Sequence, residues 1–214
     1  MTEEQAQDWL RAIFDVSRET WDRIQAFVGF LRREAASQNL IAASTLESIW
    51  SRHIVDSAQL LKLLPDDAAQ DGNWIDLGSG AGFPGIIVAL LSSHHVTLVE
   101  SRNRRIEYLQ RAIGMLDLED RVSLAGMPLE RLETAPYSVI SARAFAPLPR
   151  LFDLAARFST DKTIWLLPKG RNAVKEWQEV QPAWTGDFRI EPSITDAESG
   201  ILVGRLSAKR QKTR

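Results

Sequence analysis

The residues best placed to do chemistry are Asp76-Leu77-Gly78-Ser79-Gly80-Ala81-Gly82-Phe83-Pro84-Gly85. Glycines at Gly78, Gly80 and Gly82 permit positive φ and let a ligand approach bare backbone. A dinucleotide fingerprint, G-x-G-x-x-G, requires glycine at position 83, and Phe83 stands there instead. Glu100 follows Gly78 by 22 residues, close to the spacing at which an acid in nucleotide-binding α/β folds accepts the two ribose hydroxyls. Arg143 and Lys169 come just after two later apolar runs. A guanidinium suits bidentate contacts, so Arg143 can serve a bound ligand, the phosphates of a polyanion, or an acid such as Glu130. His53 and Asp56 are three apart on one helical face. A local helix-end hydrogen bond explains that spacing as well as catalysis does, so they are assigned no role. The chain has no cysteine, His94 and His95 read as a loop, and no metal-ligand spacing occurs.

The elements that must position these residues are legible in outline. The first seventy residues read as helix. Trp9, Ile13 and Val16, then Trp21, Ile24, Phe27, Val28 and Leu31, recur at helical spacing. Gln38–Ala43 interrupts the pattern. Ser44 or Thr45 then caps a further helix with Leu46, Ile49, Ile54, Leu60, Leu61 and Leu64 buried, ended by Pro65-Asp66-Asp67. From Asn73 onward, β-prone runs alternate with helical stretches: Trp74–Leu77, Val96–Glu100, Val122–Leu124, Val139–Ser141, Thr163–Leu167, Phe188–Ile190 and Ile201–Val203. Pro84–Leu91, Ile106–Leu116, Leu148–Phe158 and Ala173–Val180 have helical length between them. Such alternation predicts an α/β fold: a mostly parallel, doubly wound sheet with helices on both faces and right-handed crossovers. The expected organisation is a helical N-terminal extension (1–70), a Rossmann-like core (71–208) and a basic tail (209–214). In that core the glycine turn lies at the carboxyl edge of the first strand, where ligands bind in open α/β sheets.

The 214 residues are 44% hydrophobic and 25% charged, which is ordinary for a globular chain and excludes disorder or collagen. No apolar run approaches the roughly 20 residues of a membrane span, and the acidic start MTEEQAQDWLRAIF is no signal peptide. Without an export signal or cysteines, a cytoplasmic location is the default expectation. Net charge is −2, so nothing global announces a polyanion partner. The charge is uneven, however: residues 1–50 hold five Lys/Arg against eight Asp/Glu, whereas 143–176 hold seven against three. The tail adds Lys209, Arg210, Lys212 and Arg214 with no acid.

The turn's D-x-G-x-G-x-G pattern resembles the first motif of Rossmann-like, class I S-adenosylmethionine-dependent methyltransferases. That cofactor has no pyrophosphate, but its methionine ammonium suits Asp76, directly or through water. Leu129-Glu130, after the third strand, sits where such enzymes contact the adenine; the same residues also read as an amphipathic helix start. Three segments sharpen the likeness: Arg52-His53-Ile54-Val55-Asp56-Ser57, the turn DLGSGAGFPGI, and Ser141-Ala142-Arg143-Ala144 with Pro168-Lys169-Gly170 after it. Together they resemble the bacterial small-subunit ribosomal RNA guanine-N7 methyltransferases, the glucose-inhibited division protein B family, from about residue 20 to about residue 205. That family's usual N-L-T-A-I stands here as Asn39-Leu40-Ile41-Ala42-Ala43.

The resemblance implies S-adenosylmethionine as cofactor and methylation of guanine N7 in 16S ribosomal RNA, free or in the small-subunit particle; a monomer without a metal is expected. It implies cofactor contacts at Gly78, Phe83, Leu129, Glu130 and Arg143, to which the spacing adds Asp76, Gly80 and Glu100. No general base is required, since N7 carries a free lone pair, and no catalytic residue is assigned beyond support from Arg143 and Lys169. Arg143, Lys169, Arg171, Lys175 and the tail are expected to meet phosphates. A small-molecule methyltransferase of the same fold is the alternative, favoured by the acidic pI of about 6.0. A non-enzymatic nucleotide-binding module is the third reading.

Overall fold

The computed structural model describes residues 1–210 except 67 and 69–71. Seven strands form one sheet: β1 (Asn73–Leu77), β2 (His95–Val99), β3 (Val122–Ala125), β4 (Val139–Ala142), β5 (Ile164–Lys169), β6 (Trp184–Pro192) and β7 (Gly200–Lys209). Their order is β3-β2-β1-β4-β5-β7-β6, with β7 antiparallel to both neighbours and the first five strands parallel. The order reverses between β1 and β4, which opens a crevice at their carboxyl ends.

The central strands are buried on both faces, as parallel strands covered by helices must be. Along β1, Trp74 faces one apolar cluster while Ile75 and Leu77 face the other. The Trp74 side is covered by α1 (Glu3–Phe14), α2 (Arg18–Ala35), α4 (Gly85–Leu91) and α5 (Asn103–Met115). The Ile75 side is covered by α6 (Leu148–Ala155) and α7 (Ala173–Val180), with Phe152 edge-on to Trp165 at 5.2 Å. One continuous core thus joins the N-terminal helices to the sheet: Leu10, Ile24, Phe27 and Leu31 are fully buried against it.

Several local expectations change. In α1 the buried residues are Ala6 and Leu10, not Ile13, which is 41% exposed. The helix stops at Phe14 because Asp15 turns left-handed (φ 45°), so Val16 is not on it; Ser17 then caps α2. The predicted third helix is irregular: a 3₁₀ turn (Ala43–Ser48), a π-turn (Trp50–Val55), α3 (Asp56–Ala58) and another 3₁₀ turn (Gln59–Leu63). Neither Ser44 nor Thr45 caps it; Ala42 occupies the cap position, and Thr45 Oγ1 donates to Ala42 O. The π-turn begins where Glu3 of α1 accepts from the N–H groups of Trp50 and Ser51, both at 2.9 Å. Carboxylate capping from another helix fixes the entry into a wide turn, a form that recurs at functional sites. β6 and β7 run longer than their apolar runs suggested, since hairpin pairing from Trp184↔Lys209 to Pro192↔Gly200 carries polar residues into the ladder. Lys209 consequently ends β7 and pairs with Asp153 at 2.6 Å instead of opening a loose tail; Lys212 and Arg214 lie outside the described residues. Among the described residues, no helix is long and apolar enough to cross a membrane, and no group of three His, Cys, Asp or Glu could hold a metal.

Candidate active site

At the tip of β1 the backbone turns through Gly78, Gly80 and Gly82 with φ of 69°, 57° and 91°. All three angles lie in the left-handed region that residues with a Cβ rarely adopt. Gly78 and Ser79 both donate their N–H to Val99 O, at 2.9 and 3.0 Å, which ties the turn to β2. Asp76 braces it from below. Its Oδ1 accepts from Ser141 Oγ (2.8 Å), which in turn accepts from Trp74 Nε1 (2.8 Å), and its Oδ2 accepts from Gly85 N (3.3 Å). Asp76 is fully buried, and burial pushes its pKa up to about 6 against the pull of these hydrogen bonds. The carboxylate expected to serve the cofactor ammonium, directly or through water, also holds the β1 turn to β4 and α4.

Glu100 sits at the neighbouring tip of β2 and is 5% exposed. Its Oε1 accepts from Ser101 N (2.8 Å) and Arg102 N (3.0 Å), and its Oε2 accepts from Gly80 N (3.1 Å). Arg105 lies 3.6 Å from the same oxygen. Gly80 and Glu100 are therefore joined directly, as one rim. At the β3 tip, Leu129 is buried within a 3₁₀ turn, and Arg157 donates to its carbonyl at 2.6 Å. Glu130 points to the surface, 3.9 Å from Arg150 of α6.

Arg143 follows β4, and the structure resolves which partner it takes. Its Nη2 donates to His53 Nδ1 (2.9 Å), and its Nη1 donates to Arg52 O (3.3 Å) and faces Asp56 Oδ2 (3.4 Å). Glu130 is not among these partners. His53 Nε2 is 2.8 Å from Thr45 Oγ1, and the ring stacks on Phe83, with centroids 5.1 Å apart. Phe83 itself is 3% exposed, held between His53 and Phe27, so its ring presents little surface to a ligand. Burial, with Arg143 and Arg52 adding to it, lowers the His53 pKa to about 3 and keeps the imidazole neutral. Asp56 also accepts from Thr195 Oγ1 (2.8 Å) and Gln59 Nε2 (2.9 Å), and Arg52 pairs with Asp196 at 3.0 Å. The β6–β7 connection is thereby fastened to the π-turn.

The next residue, Ala144, adopts φ +53°, an uncommon conformation for alanine that turns Phe145 back over the glycines. A Cβ at Gly78 would lie 2.5 Å from the Phe145 ring. Beyond Arg143 opens a cavity of about 770 Å³, lined in part by Arg52, Asp56, Ala146, Lys169, Glu176 and Thr195. Lys169 is not a free phosphate-binding cation here: its Nζ pairs with Glu176 Oε2 at 2.9 Å. Arg171 pairs with Glu198, and Lys175 lies 3.9 Å from Glu179. The sequence assigns no functional role to His53 and Asp56, offers Thr45 only as a helix cap, and leaves Glu176 and Thr195 unmarked. Arg143 lies 90 residues from His53 and 87 from Asp56, and no periodicity signals such contacts.

The strand order, the glycine turn and the acid at the β2 tip define a Rossmann-like class I methyltransferase. Solved structures share the architecture: a putative O-methyltransferase from Klebsiella pneumoniae has a TM-score of 0.65 at 16% identity, covering 96% of this chain and 97% of that one. A putative S-adenosylmethionine-dependent methyltransferase from Methanococcus maripaludis has a TM-score of 0.60 at 13% identity, covering 86% and 96%. Residues 21–200 match the family model GidB, rRNA small subunit methyltransferase G, and the chain belongs to that family. It is 55% identical over 211 residues to the ribosomal RNA small subunit methyltransferase G of Sphingopyxis alaskensis, covering 98% of this chain and 89% of the relative. To the protein of the same name from Zymomonas mobilis it is 49% identical over 219 residues, covering 100% and 98%.

Proposed function

We propose that the protein transfers a methyl group from S-adenosylmethionine to N7 of one guanosine in 16S ribosomal RNA, as a cytoplasmic monomer acting on naked RNA or on the small-subunit particle. The observation that carries this reading is the meeting of Arg143 with His53 and Asp56 beside the glycine turn. It joins the two segments whose resemblance is specific to this family, at the edge of the sheet where cofactor and base must meet.

The residues present fit the cofactor. A Cβ at Gly80 would find nothing nearer than 3.7 Å, so the turn offers open space beside bare backbone for the methionine part. Glu100, whose Oε2 is shared by the Gly80 N–H and the Arg105 guanidinium, suits the ribose hydroxyls. Leu129 and Glu130 at the β3 tip would border the adenine, with the Leu129 backbone the nearer candidate. When bound, the cofactor supplies an electrophilic sulfonium methyl group.

The protein's own residues orient. Guanine N7 carries no proton at neutral pH, so no side chain has to remove one. Holding nucleophile and methyl carbon in line is worth up to roughly 7–11 kcal/mol. The His53–Arg143 contact and the left-handed Ala144 fix the β4 turn against Gly78, which sets one wall of that alignment. N7 lies on the major-groove edge, inaccessible in an RNA helix, so the target base is splayed or unpaired.

Purified protein is incubated with methyl-labelled cofactor and small-subunit particles, naked 16S RNA or a metabolite extract. Label recovered as 7-methylguanosine after RNA digestion supports the reading. Label confined to the metabolite fraction overturns it in favour of a small-molecule methyltransferase.

A further inference from the structure

The ion pair between Lys169 and Glu176 has no part in the chemistry described so far. Lys169 is the last residue of β5, with its side chain 11% exposed; Glu176, in α7, is 28% exposed. The turn between them brings α7 back so that the carboxylate meets the strand tip at 2.9 Å. Both line the same cavity as Arg143. The other carboxylates lining it are committed: Asp56 to Gln59, Thr195 and Arg143, and Asp196 to Arg52, Ser199 and the Glu198 N–H. Among the described residues, the Glu176 carboxylate has Lys169 as its one hydrogen-bond partner, through a single oxygen.

An ammonium beside a carboxylate is a donor next to an acceptor. Guanine carries the complement on one edge, where O6 accepts, N1–H beside it donates and the N2 amine donates again. With N7 turned to the methyl group, that edge faces away from the cofactor. β5 lies on the far side of β4 from β1 and β2, whose tips hold the glycine turn and Glu100. We infer that Glu176 reads the Watson–Crick edge of the target guanine, accepting from N1–H and the N2 amine, while Lys169 donates to O6. The inference rests on the guanine-N7 reading above and names how that base is selected. Adenine inverts the pattern: its N6 amine meets the ammonium and its unprotonated N1 meets the carboxylate, leaving desolvated polar groups unpaired. As N7 gains the methyl group the base becomes cationic, so the carboxylate holds it more tightly in the transition state than before.

The test uses small-subunit RNA carrying inosine, which lacks the N2 amine, at the position the wild-type enzyme methylates. Wild type and Glu176→Gln are compared on guanosine and inosine RNA, with cofactor binding by calorimetry as the check on folding. Wild type is expected to lose about tenfold or more in kcat/KM on inosine, the scale of one hydrogen bond to a charged acceptor. Glu176→Gln should bind cofactor normally, lose about tenfold on guanosine RNA, and no longer distinguish the two bases. A variant that keeps the wild-type preference overturns the inference, as does a wild-type enzyme indifferent to inosine, a result that needs no variant at all. Wild type that binds cofactor yet methylates no RNA would instead remove the guanine-N7 reading and this inference with it.

Discussion

His53 accepts a hydrogen bond from Arg143, 90 residues further along the chain, at 2.9 Å. A guanidinium can only donate, so Nδ1 is the acceptor and the proton sits on Nε2, which donates to Thr45. The tautomer and the ring plane are thus set from both ends, with Phe83 stacked against one face. Arg143 is oriented by a neutral histidine, and what it orients is the β4 turn.

Arg143→Ala should lower turnover at saturating RNA and cofactor by about 10–100-fold, the range expected from small misplacements of reacting groups. His53→Leu should do part of the same, while His53→Asn, which restores an acceptor near Nδ1, should recover some of the loss. Single-turnover kinetics with cofactor affinity measured in parallel would check this; normal turnover in Arg143→Ala would refute it.

The same histidine predicts an acid-sensitive contribution to stability. Unfolded His53 takes a proton below its ordinary pKa of 6.5, whereas folded His53 resists protonation down to about 3. Its contribution is therefore complete above pH 6.5 and is lost as pH falls toward 3, at up to about 1.4 kcal/mol per pH unit. Asp76 acts oppositely: raised from 3.8 to about 6, its folded form holds a proton that the unfolded chain has released, so it favours the fold toward the acid end of that window. The stability difference between wild type and His53→Asn, from denaturant titrations, should shrink between about pH 7 and about pH 5. A constant difference would show that folding does not lower the His53 pKa.

Gly80→Val should abolish cofactor binding and leave the fold largely intact. The new Cβ meets only Arg105 and the Gly78 carbonyl at 3.7 Å, so the internal cost is the left-handed backbone, about 1–2 kcal/mol. Gly78→Ala is the contrasting case, since its Cβ would sit 2.5 Å from the Phe145 ring and displace the β4 turn. Calorimetry and thermal melts on both variants separate the outcomes. Cofactor binding within about twofold of wild type in Gly80→Val would mean the turn does not hold the methionine part.

Glu100→Ala should weaken cofactor binding by about 1.5–3 kcal/mol, the scale of hydrogen bonds to a charged group. It should also lower stability, because the carboxylate accepts the N–H groups of Gly80, Ser101 and Arg102. The ribose role is read separately with a 2′,3′-dideoxy cofactor analogue. An alanine variant that still discriminates fully against the analogue would assign Glu100 to the turn alone.

The sequence by itself determined the order of strands and helices from Asn73 onward, though not the length of the β6–β7 hairpin, and with it the place of the glycine turn after β1 and the acid at the tip of β2. These are local matters: burial of both sheet faces writes runs of apolar residues, and left-handed turns write glycine at fixed positions. The segments R-H-x-x-D-S and S-x-R-A were legible as a family resemblance, yet their chemistry was not, because a hydrogen bond between His53 and Arg143 leaves no periodic trace. Only the tertiary structure decided that Asp76 would spend its carboxylate on Ser141 and Gly85, that Lys169 would pair with Glu176, and that Lys209 would close a strand. It also replaced a regular third helix by 3₁₀ and π-turns, since Glu3 of a separate helix captures the N–H groups of Trp50 and Ser51. The deciding partners Ser141, Asp153 and Glu3 lie far along the chain, while Glu176 and Gly85, seven and nine residues away, are brought in by the turns that follow β5 and β1. Charge and spacing announce a group's capacity for contact, but packing chooses which contact is made.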